Sequence, residues 1–221
     1  MKKVKYIMFD FDSTLVDSLK YWYKSIDKEA FKHFKIKVRK GFPEARAGLT
    51  NREIYKCFVE FSKTTATPKE VADFWYDTMI KNYKTKIKII AGAREFLEMM
   101  KHKGYKLVLA SATPLRVLNF ALDHFDFKKY FEYVVTEESI KEPKREPDFY
   151  VKLLEKLGIT KKEIFVFEDS FVSLKAANEM GIKTCAIKHS INKNKLKNLG
   201  DNNLLIIKNY KSKKLKKLYI L

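Results

Sequence analysis

The residues best suited to chemistry stand at the ends of apolar runs. Asp10 and Asp12 directly follow the apolar run of residues 4–9, and Thr14 comes two residues later. Because two carboxylates at this spacing crowd each other, one of them needs a cation or a proton nearby. Mg²⁺ prefers carboxylate and phosphate oxygens, so the pair suits a magnesium site. Taken alone, the motif is more typical of an acidic turn after a strand.

A second candidate follows the apolar residues 107–110. Ser111 and Ala112 stand directly after this run. Thr113 and Pro114 are the types expected at the N-cap and at the first position of a helix. The free amides of such a helix, together with the Ser111 hydroxyl, would bind a phosphate group. Helix capping by itself also explains these residues.

Two further groups complete the set of polar candidates. Lys144 comes shortly before a helical pattern at residues 148–158. Glu168 and Asp169 directly follow four apolar residues, which again places carboxylates at the end of a predicted strand. Ordinary explanations exist here too, since lysine is common throughout the chain and Asp169 or Ser170 would cap the next helix.

A repeated order of helix, glycine and strand organises most of the chain. Helical patterns end at Gly104, Gly158 and Gly181, and a β-rich run follows each glycine. This alternation predicts right-handed crossovers between parallel strands, with helices on both faces of the sheet. The predicted fold class is therefore α/β, with a Rossmann-like parallel-sheet core of three α/β/α layers. The polar candidates that follow strands would lie at the carboxyl edge of that sheet.

The segment after the first strand departs from this order. It contains helical patterns without a strong strand, and the pairs Thr50/Glu53 and Thr67/Glu70 are typical capping boxes. We therefore expect an inserted, all-helical cap domain over the crevice in which open α/β sheets bind ligands. The predicted boundaries are residues 1–15 and 86–221 for the core and residues 16–85 for the cap.

Together, the four motifs resemble the haloacid dehalogenase superfamily of phosphohydrolases. DFDSTLVDS at residues 10–18 is similar to the family's DxDGTLxDS, and KREPDFYVKLLEKLG at residues 144–158 to its KPxPDxFxxAxxxLG. FVFEDSFVSLKAANEMGIKT at residues 165–184 is similar to its xVFEDSxxGxxAAxxAGM. The resemblance covers nearly the whole predicted core, and the inserted helices match only in position and length.

The resemblance implies a role for each candidate. Asp10 would be the nucleophile that forms an aspartyl-phosphate, and Asp12 the general acid and then the general base. Phosphate oxygens would be bound by Thr14, Ser111, Ala112 and Lys144. Mg²⁺ would be bound by Asp10, the backbone carbonyl of Asp12 and Asp169, with Glu168 beside them. The implied reaction is Mg²⁺-dependent hydrolysis of a small phosphomonoester.

Asp12 separates the activities found in this superfamily. Its dehalogenases carry Tyr at this position and its phosphonoacetaldehyde hydrolases carry Ala, whereas a phosphomonoester leaving group requires an acid there. A phosphoglycolate-phosphatase-like enzyme is therefore expected, with a β-phosphoglucomutase-like sugar phosphomutase as the alternative. Pro114 stands where the mutases carry lysine, which favours the phosphatase.

Several positions differ from the family's pattern without loss of a charged or nucleophilic group. Ser13 replaces the usual Gly, which matters if the loop needs a positive φ. Arg145 replaces a Pro and Ser173 replaces a Gly. Lys141 is a rival for the motif lysine, although the spacing to the following Pro-Asp pair favours Lys144.

Two arginines of the insertion are candidate substrate contacts. Arg46 and Arg52 would meet a second anionic group, such as the carboxylate of phosphoglycolate. Ordinary surface cations on a helix are the competing explanation, because the chain is basic throughout.

The charge balance bears on possible partners. The 221 residues include 46 Lys and Arg against 27 Asp and Glu, a net charge of +19. Because the excess is mostly lysine and is spread through every segment, it is not typical of nucleic-acid readers, which use arginine forks. A basic nucleic-acid-binding or regulatory module remains the alternative from another class, based on the lysine-rich residues 208–217. Leu215, Leu218 and Ile220 also make this tail amphipathic, which predicts a terminal helix with one solvated face.

The remaining expectations concern the compartment and the partners. Cys57 and Cys185 lack metal-ligand spacing and are expected to be buried thiols in a reducing compartment. A signal-peptide pattern and long apolar runs are missing from the sequence, which favours a cytoplasmic protein without a membrane partner. The expected partner is a small phosphorylated metabolite rather than nucleic acid, and the expected assembly is a monomer or a homodimer.

Overall fold

The computed structural model describes residues 4–22, 26–36, 42, 50–190, 192–199 and 203–220. Its sheet has six strands, all parallel, in the order β3-β2-β1-β4-β5-β6. The strands are β1 (Tyr6–Phe9), β2 (Lys106–Ser111), β3 (Tyr133–Thr136), β4 (Ile164–Glu168), β5 (Lys183–Ile187) and β6 (Asn203–Ile207). The predicted α/β class with a parallel sheet is confirmed.

Eight α-helices accompany the sheet within the described residues. They are α1 (Ile26–His33), α2 (Asn51–Ser62), α3 (Pro68–Thr85), α4 (Ala93–His102), α5 (Leu115–His124), α6 (Glu137–Ile140), α7 (Pro147–Leu157) and α8 (Phe171–Glu179). Short 3₁₀ helices cover Lys128–Tyr130, Lys195–Asn198 and Lys213–Ile220.

The chain divides into two compact units. The α/β unit contains the described residues up to Asp17, together with Ile89–Thr113 and Phe125–Leu221. The helical unit contains Ser18–Lys88 and Pro114–His124. In this division α5 belongs with the helical unit rather than with the sheet.

Local sequence signals explain the helix ends. Both predicted capping boxes form: the Thr50 and Thr67 hydroxyls accept the amides of Glu53 and Glu70, whose carboxylates accept the amides of the two threonines. At the other ends, Gly104, Gly158 and Gly181 have the predicted positive φ angles of 81°, 64° and 73°. Helix α5 begins at Leu115, one residue later than predicted, so Pro114 rather than Thr113 directly precedes it.

Both faces of the sheet are buried. Met8 and Val166 belong to the apolar cluster that includes Phe149 and Leu153 of α7. Successive side chains of a strand point to opposite faces, so Phe9 and Phe167 lie on the other face. Their rings stack with centroids 4.8 Å apart. Because the central strands β1, β2 and β4 are buried on both faces, each reads as a nearly continuous apolar run.

The lysine-rich C-terminal segment packs on the second face. Tyr210 is buried, its ring centroid lies 5.1 Å from that of Phe96, and its amide donates to the Ala91 carbonyl. A Cβ at Gly92, whose φ is 81°, would lie 3.1 Å from the backbone nitrogen of Lys211, so the approach requires glycine. Leu215 is also buried in the 3₁₀ helix of this segment, whereas the side chains of Leu218 and Ile220 lie outside the described residues.

The remaining features of the fold are the two cysteines and the apolar character of the helices. Neither cysteine forms a disulfide in the part of the chain that the structure describes, and Cys185 is buried as predicted, whereas Cys57 of α2 is only half-buried. Within the described residues, no helix combines the length and the apolar composition needed to cross a membrane.

Candidate active site

The first acidic motif lies in a tight loop after β1. The amide of Asp10 still continues the sheet by donating to the Phe167 carbonyl at 2.9 Å. The chain then turns at Ser13, whose φ of 62° is left-handed and whose amide donates to the Val16 carbonyl at 2.8 Å. The family's usual Gly is thus replaced by a residue that adopts the conformation for which Gly is preferred. Asp10 and Asp12 leave the strand edge on either side of Phe11.

Lys144 lies at the centre of the site. Its ammonium is 2.7 Å from Asp10 Oδ1, 2.7 Å from Glu168 Oε2 and 2.8 Å from the Ala110 carbonyl. Burial lowers the pKa of Lys144, but the two carboxylates outweigh burial and raise this pKa above its ordinary value. Lys141, by contrast, is exposed at the end of α6. The structure therefore brings Lys144, and not its rival, to Asp10.

Three carboxylates cluster at this position, two of them in contact with the ammonium. Oxygens of Asp10, Glu168 and Asp169 lie within 4.8 Å of one another. Glu168 Oε1 also accepts the amides of Asp169 and Ser170 at 3.1 and 3.0 Å, which fixes its orientation. Burial, followed by the charge of Asp10, raises the pKa values of both Glu168 and Asp169.

The donor set fits a divalent cation. Three carboxylates in a small volume face a single ammonium, so the cluster keeps excess negative charge that burial makes costly. Hard oxygen donors are the ligands preferred by Mg²⁺. Bound there, such a cation would neutralise the excess that otherwise favours protonation of Glu168 and Asp169.

Asp12 has a different environment from the other carboxylates. Its Oδ2 accepts a hydrogen bond from the Thr113 hydroxyl. Thr113 in turn donates its amide to Ser111 Oγ at 3.0 Å. The sequence predicts Thr113 only as a helix cap. Its contact with Asp12 was missed because the two residues are 101 positions apart.

The other predicted phosphate contacts lie at the same strand ends. Thr14 is fully buried, and its hydroxyl donates to Asp169 Oδ1 at 3.4 Å. Ser111 ends β2 and is buried, whereas the following Ala112 is exposed. The structure does not place the two predicted cap arginines: Arg46 lies outside the described residues, and so does the side chain of Arg52, which stands in α2.

Three site residues were missed by sequence reasoning. Glu137 Oε1 accepts the amide of Lys144 at 2.8 Å. His189 Nε2 lies 2.9 Å from Asp169 Oδ2, and Asn192 Nδ2 donates to the Asp169 carbonyl at 2.8 Å. Burial lowers the pKa of His189, with partial opposition from Asp17. The sequence signal that could have found His189 is its position shortly after β5, at the carboxyl edge of the sheet where the other candidates lie.

Comparison with known proteins decides the family. Residues 7–187 match the family model described as haloacid dehalogenase-like hydrolase. The chain belongs to this family. It is therefore a hydrolase of the phosphatase branch, as the resemblance implied.

Individual relatives agree with this assignment. The chain is 28% identical over 202 residues to a phosphorylated carbohydrates phosphatase from Thermotoga maritima, covering 86% of this chain and 88% of that protein. It is 21% identical over 190 residues to a phosphoglycolate phosphatase from Pseudomonas fluorescens, covering 84% and 70%. A Thermotoga maritima crystal structure provisionally described as a β-phosphoglucomutase superposes with a TM-score of 0.75 at 25% identity, covering 99% and 100%.

Proposed function

We propose that this protein is a Mg²⁺-dependent phosphatase that hydrolyses small phosphomonoesters through an aspartyl-phosphate on Asp10. The observation that carries the proposal is the Lys144 ammonium 2.7 Å from both Asp10 and Glu168, within a cluster of three carboxylates. Phosphoryl transfer depends mainly on positioning and on neutralising the charge of the phosphoryl oxygens. A nucleophilic carboxylate beside a buried cation meets both needs.

In the first step, a carboxylate oxygen of Asp10 attacks phosphorus. The new Asp10 O–P bond forms as the bond from phosphorus to the leaving oxygen breaks. The Asp12 carboxyl gives its proton to that oxygen, so an alcohol departs rather than an alkoxide. Thr113 orients Asp12 for this transfer, because its hydroxyl donates to Asp12 Oδ2.

In the second step, water hydrolyses the aspartyl-phosphate. The Asp12 carboxylate accepts a proton from the water as the water oxygen attacks phosphorus. The Asp10 O–P bond breaks, inorganic phosphate leaves, and both carboxyl groups regain their initial states. Division into two displacements replaces one difficult step by two easier ones.

The remaining candidates bind the phosphate and the metal ion. Lys144, Thr14, Ser111 and the Ala112 backbone would contact phosphoryl oxygens. Asp10, Asp169 and the Asp12 carbonyl would hold Mg²⁺, with Glu168 beside them. When bound, Mg²⁺ supplies Lewis-acid neutralisation of the phosphoryl charge.

The substrate class proposed is a small phosphorylated metabolite. The relatives named above act on phosphorylated carbohydrates and on phosphoglycolate. We expect the enzyme to work as a monomer or homodimer in the cytoplasm, where Cys57 and Cys185 stay reduced.

Phosphate release from a panel of phosphorylated metabolites and from p-nitrophenyl phosphate tests the proposal. We expect turnover with Mg²⁺, its loss in EDTA and its recovery when Mg²⁺ is restored. Asp10→Asn should abolish turnover, because a neutral amide oxygen is a poor nucleophile. The matched control is Asp123→Asn, a change at an exposed aspartate. Full activity in chelator, or in the Asp10→Asn protein, would contradict the mechanism.

A sugar phosphomutase is the second candidate. It is favoured by the likeness, at 25% identity, to the Thermotoga maritima protein provisionally described as a β-phosphoglucomutase. A mutase would convert a hexose 1-phosphate into the 6-phosphate with little free phosphate, so product analysis by NMR distinguishes the two enzymes.

Arg46 and Arg52 stay the predicted contacts for a second anionic group, within the cap assigned to residues 16–85. Replacing either by Ala should change the ranking of metabolites and leave hydrolysis of p-nitrophenyl phosphate nearly unchanged. Equal losses on every substrate would argue against a role in selection.

A further inference from the structure

The loop after β5 contacts Asp169 through residues that lie outside the part of the chain matched by the family model. The match ends at residue 187, and His189 and Asn192 lie beyond it. We propose that these two residues position Asp169 for metal binding. The inference rests on the proposed Mg²⁺ site, and it assigns a function to a segment outside the recognised motifs.

The His189 ring is held in one orientation from both sides. Its Nδ1 accepts the backbone amide of Asn192 at 3.3 Å. A nitrogen that accepts a hydrogen bond carries no proton, so the ring proton stands on Nε2. Nε2 therefore donates to Asp169 Oδ2, from which it is 2.9 Å distant.

Asn192 connects the same loop to the backbone of Asp169 and Ile187 by hydrogen bonds. Its buried Nδ2 donates to the carbonyls of Asp169 and Ile187, both at 2.8 Å. Its Oδ1 accepts the amide of His189 at 2.9 Å. The Nδ2 end of the Asn192 amide thus ties the loop to β5 and to the residue after β4, and the Oδ1 end holds the backbone of His189, which leaves His189 little freedom to move.

The consequence is a fixed carboxylate at Asp169. Thr14 contacts one of its oxygens and His189 the other. Each carboxylate oxygen has two lone pairs, so these hydrogen bonds orient Asp169 and still leave lone pairs for a cation. Groups that orient metal ligands in this way typically account for about 10–100-fold in metal affinity.

The experiment measures binding of Mn²⁺, as a paramagnetic substitute for Mg²⁺, to the full chain by EPR titration. Four proteins are compared: wild type, His189→Ala, His189→Gln and His102→Ala. Glutamine keeps an N–H donor for Asp169, and His102 is exposed at the end of α4. Melting temperatures without metal are recorded in parallel.

We expect His189→Ala to weaken Mn²⁺ binding by about 10–100-fold. His189→Gln should recover most of that loss, and His102→Ala should bind as the wild type does. Wild-type affinity in the His189→Ala protein, or a lowered melting temperature without a change in affinity, would overturn the inference. If the wild type hydrolyses phosphate esters with Mg²⁺ while His189→Ala binds Mn²⁺ normally, this inference alone fails. If the wild type binds no Mn²⁺, the proposed function fails with it.

Discussion

Lys144 and Asp10, 134 residues apart in the chain, form a buried ion pair with 2.7 Å between Nζ and Oδ1. The same ammonium pairs with Glu168 and donates to the Ala110 carbonyl. One lysine thus links the ends of β1, β2 and β4. The pair is both the electrostatic centre of the site and a structural junction of the sheet.

Replacement of Lys144 should cost stability as well as activity. In Lys144→Met, two buried carboxylates lose their compensating charge, so we expect the free energy of unfolding to fall by about 3–5 kcal/mol. Urea denaturation in EDTA measures this loss. Lys141→Met is the control and should stay within about 0.5 kcal/mol of wild type, because Lys141 is exposed. Equal stability of the two variants would refute the central role of Lys144.

Asp12→Asn should separate acid catalysis from folding. Thr113 is able to donate to the asparagine carbonyl as it does to Asp12 Oδ2, so we expect an unchanged melting temperature. Loss of the acid should lower turnover of an alkyl phosphate by about 10²–10⁴-fold. The loss should be smaller for p-nitrophenyl phosphate, whose leaving group departs without a proton. If both substrates lose rate equally in the folded variant, Asp12 serves only to shape the loop.

Ser13 should tolerate glycine better than alanine. Its φ of 62° is left-handed, which costs a residue with a Cβ about 1–2 kcal/mol. Ser13→Gly and Ser13→Ala both remove the hydroxyl, so their difference isolates the backbone effect. We expect Ser13→Gly to be more stable than Ser13→Ala by about 1 kcal/mol in thermal unfolding. The opposite order would mean that the loop adopts another conformation in solution.

Tyr210 should stabilise the protein through its ring alone. It packs against Phe96 and Phe167, with ring centroids 5.1 and 5.7 Å away. Its buried hydroxyl has no hydrogen-bond partner among the residues that the structure describes. We therefore expect Tyr210→Ala to cost about 3–5 kcal/mol, from the cavity left behind.

Tyr210→Phe is the matched variant for that test. It keeps the ring and removes only the unpartnered hydroxyl, so stability should be unchanged or slightly higher. Chemical denaturation of the three proteins gives the comparison. A clear loss of stability in Tyr210→Phe would mean that the Tyr210 hydroxyl forms a stabilising hydrogen bond in solution.

The sequence by itself determined the elements that carry the catalytic candidates. Apolar runs followed by Asp10 or by Glu168 and Asp169 predicted buried parallel strands with carboxylates at one edge, and β1 and β4 confirm them. Glycines and capping boxes marked the helix ends because those preferences act within a few residues. The edge strands β3 and β6 were not predicted, since their short runs are unremarkable until they pair with a neighbour.

Only the tertiary structure decided which residues meet. It brought Lys144, which the spacing already favoured over Lys141, to Asp10, and it joined Thr113 to Asp12 and His189 to Asp169. It also buried Tyr210, which the composition of its lysine-rich surroundings would place in solvent. The physical reason is the same throughout: these contacts join residues far apart in the chain, and their geometry depends on how β1, β2, β4 and β5 align. Local preference determines where a strand or helix ends, whereas packing determines what stands opposite that end.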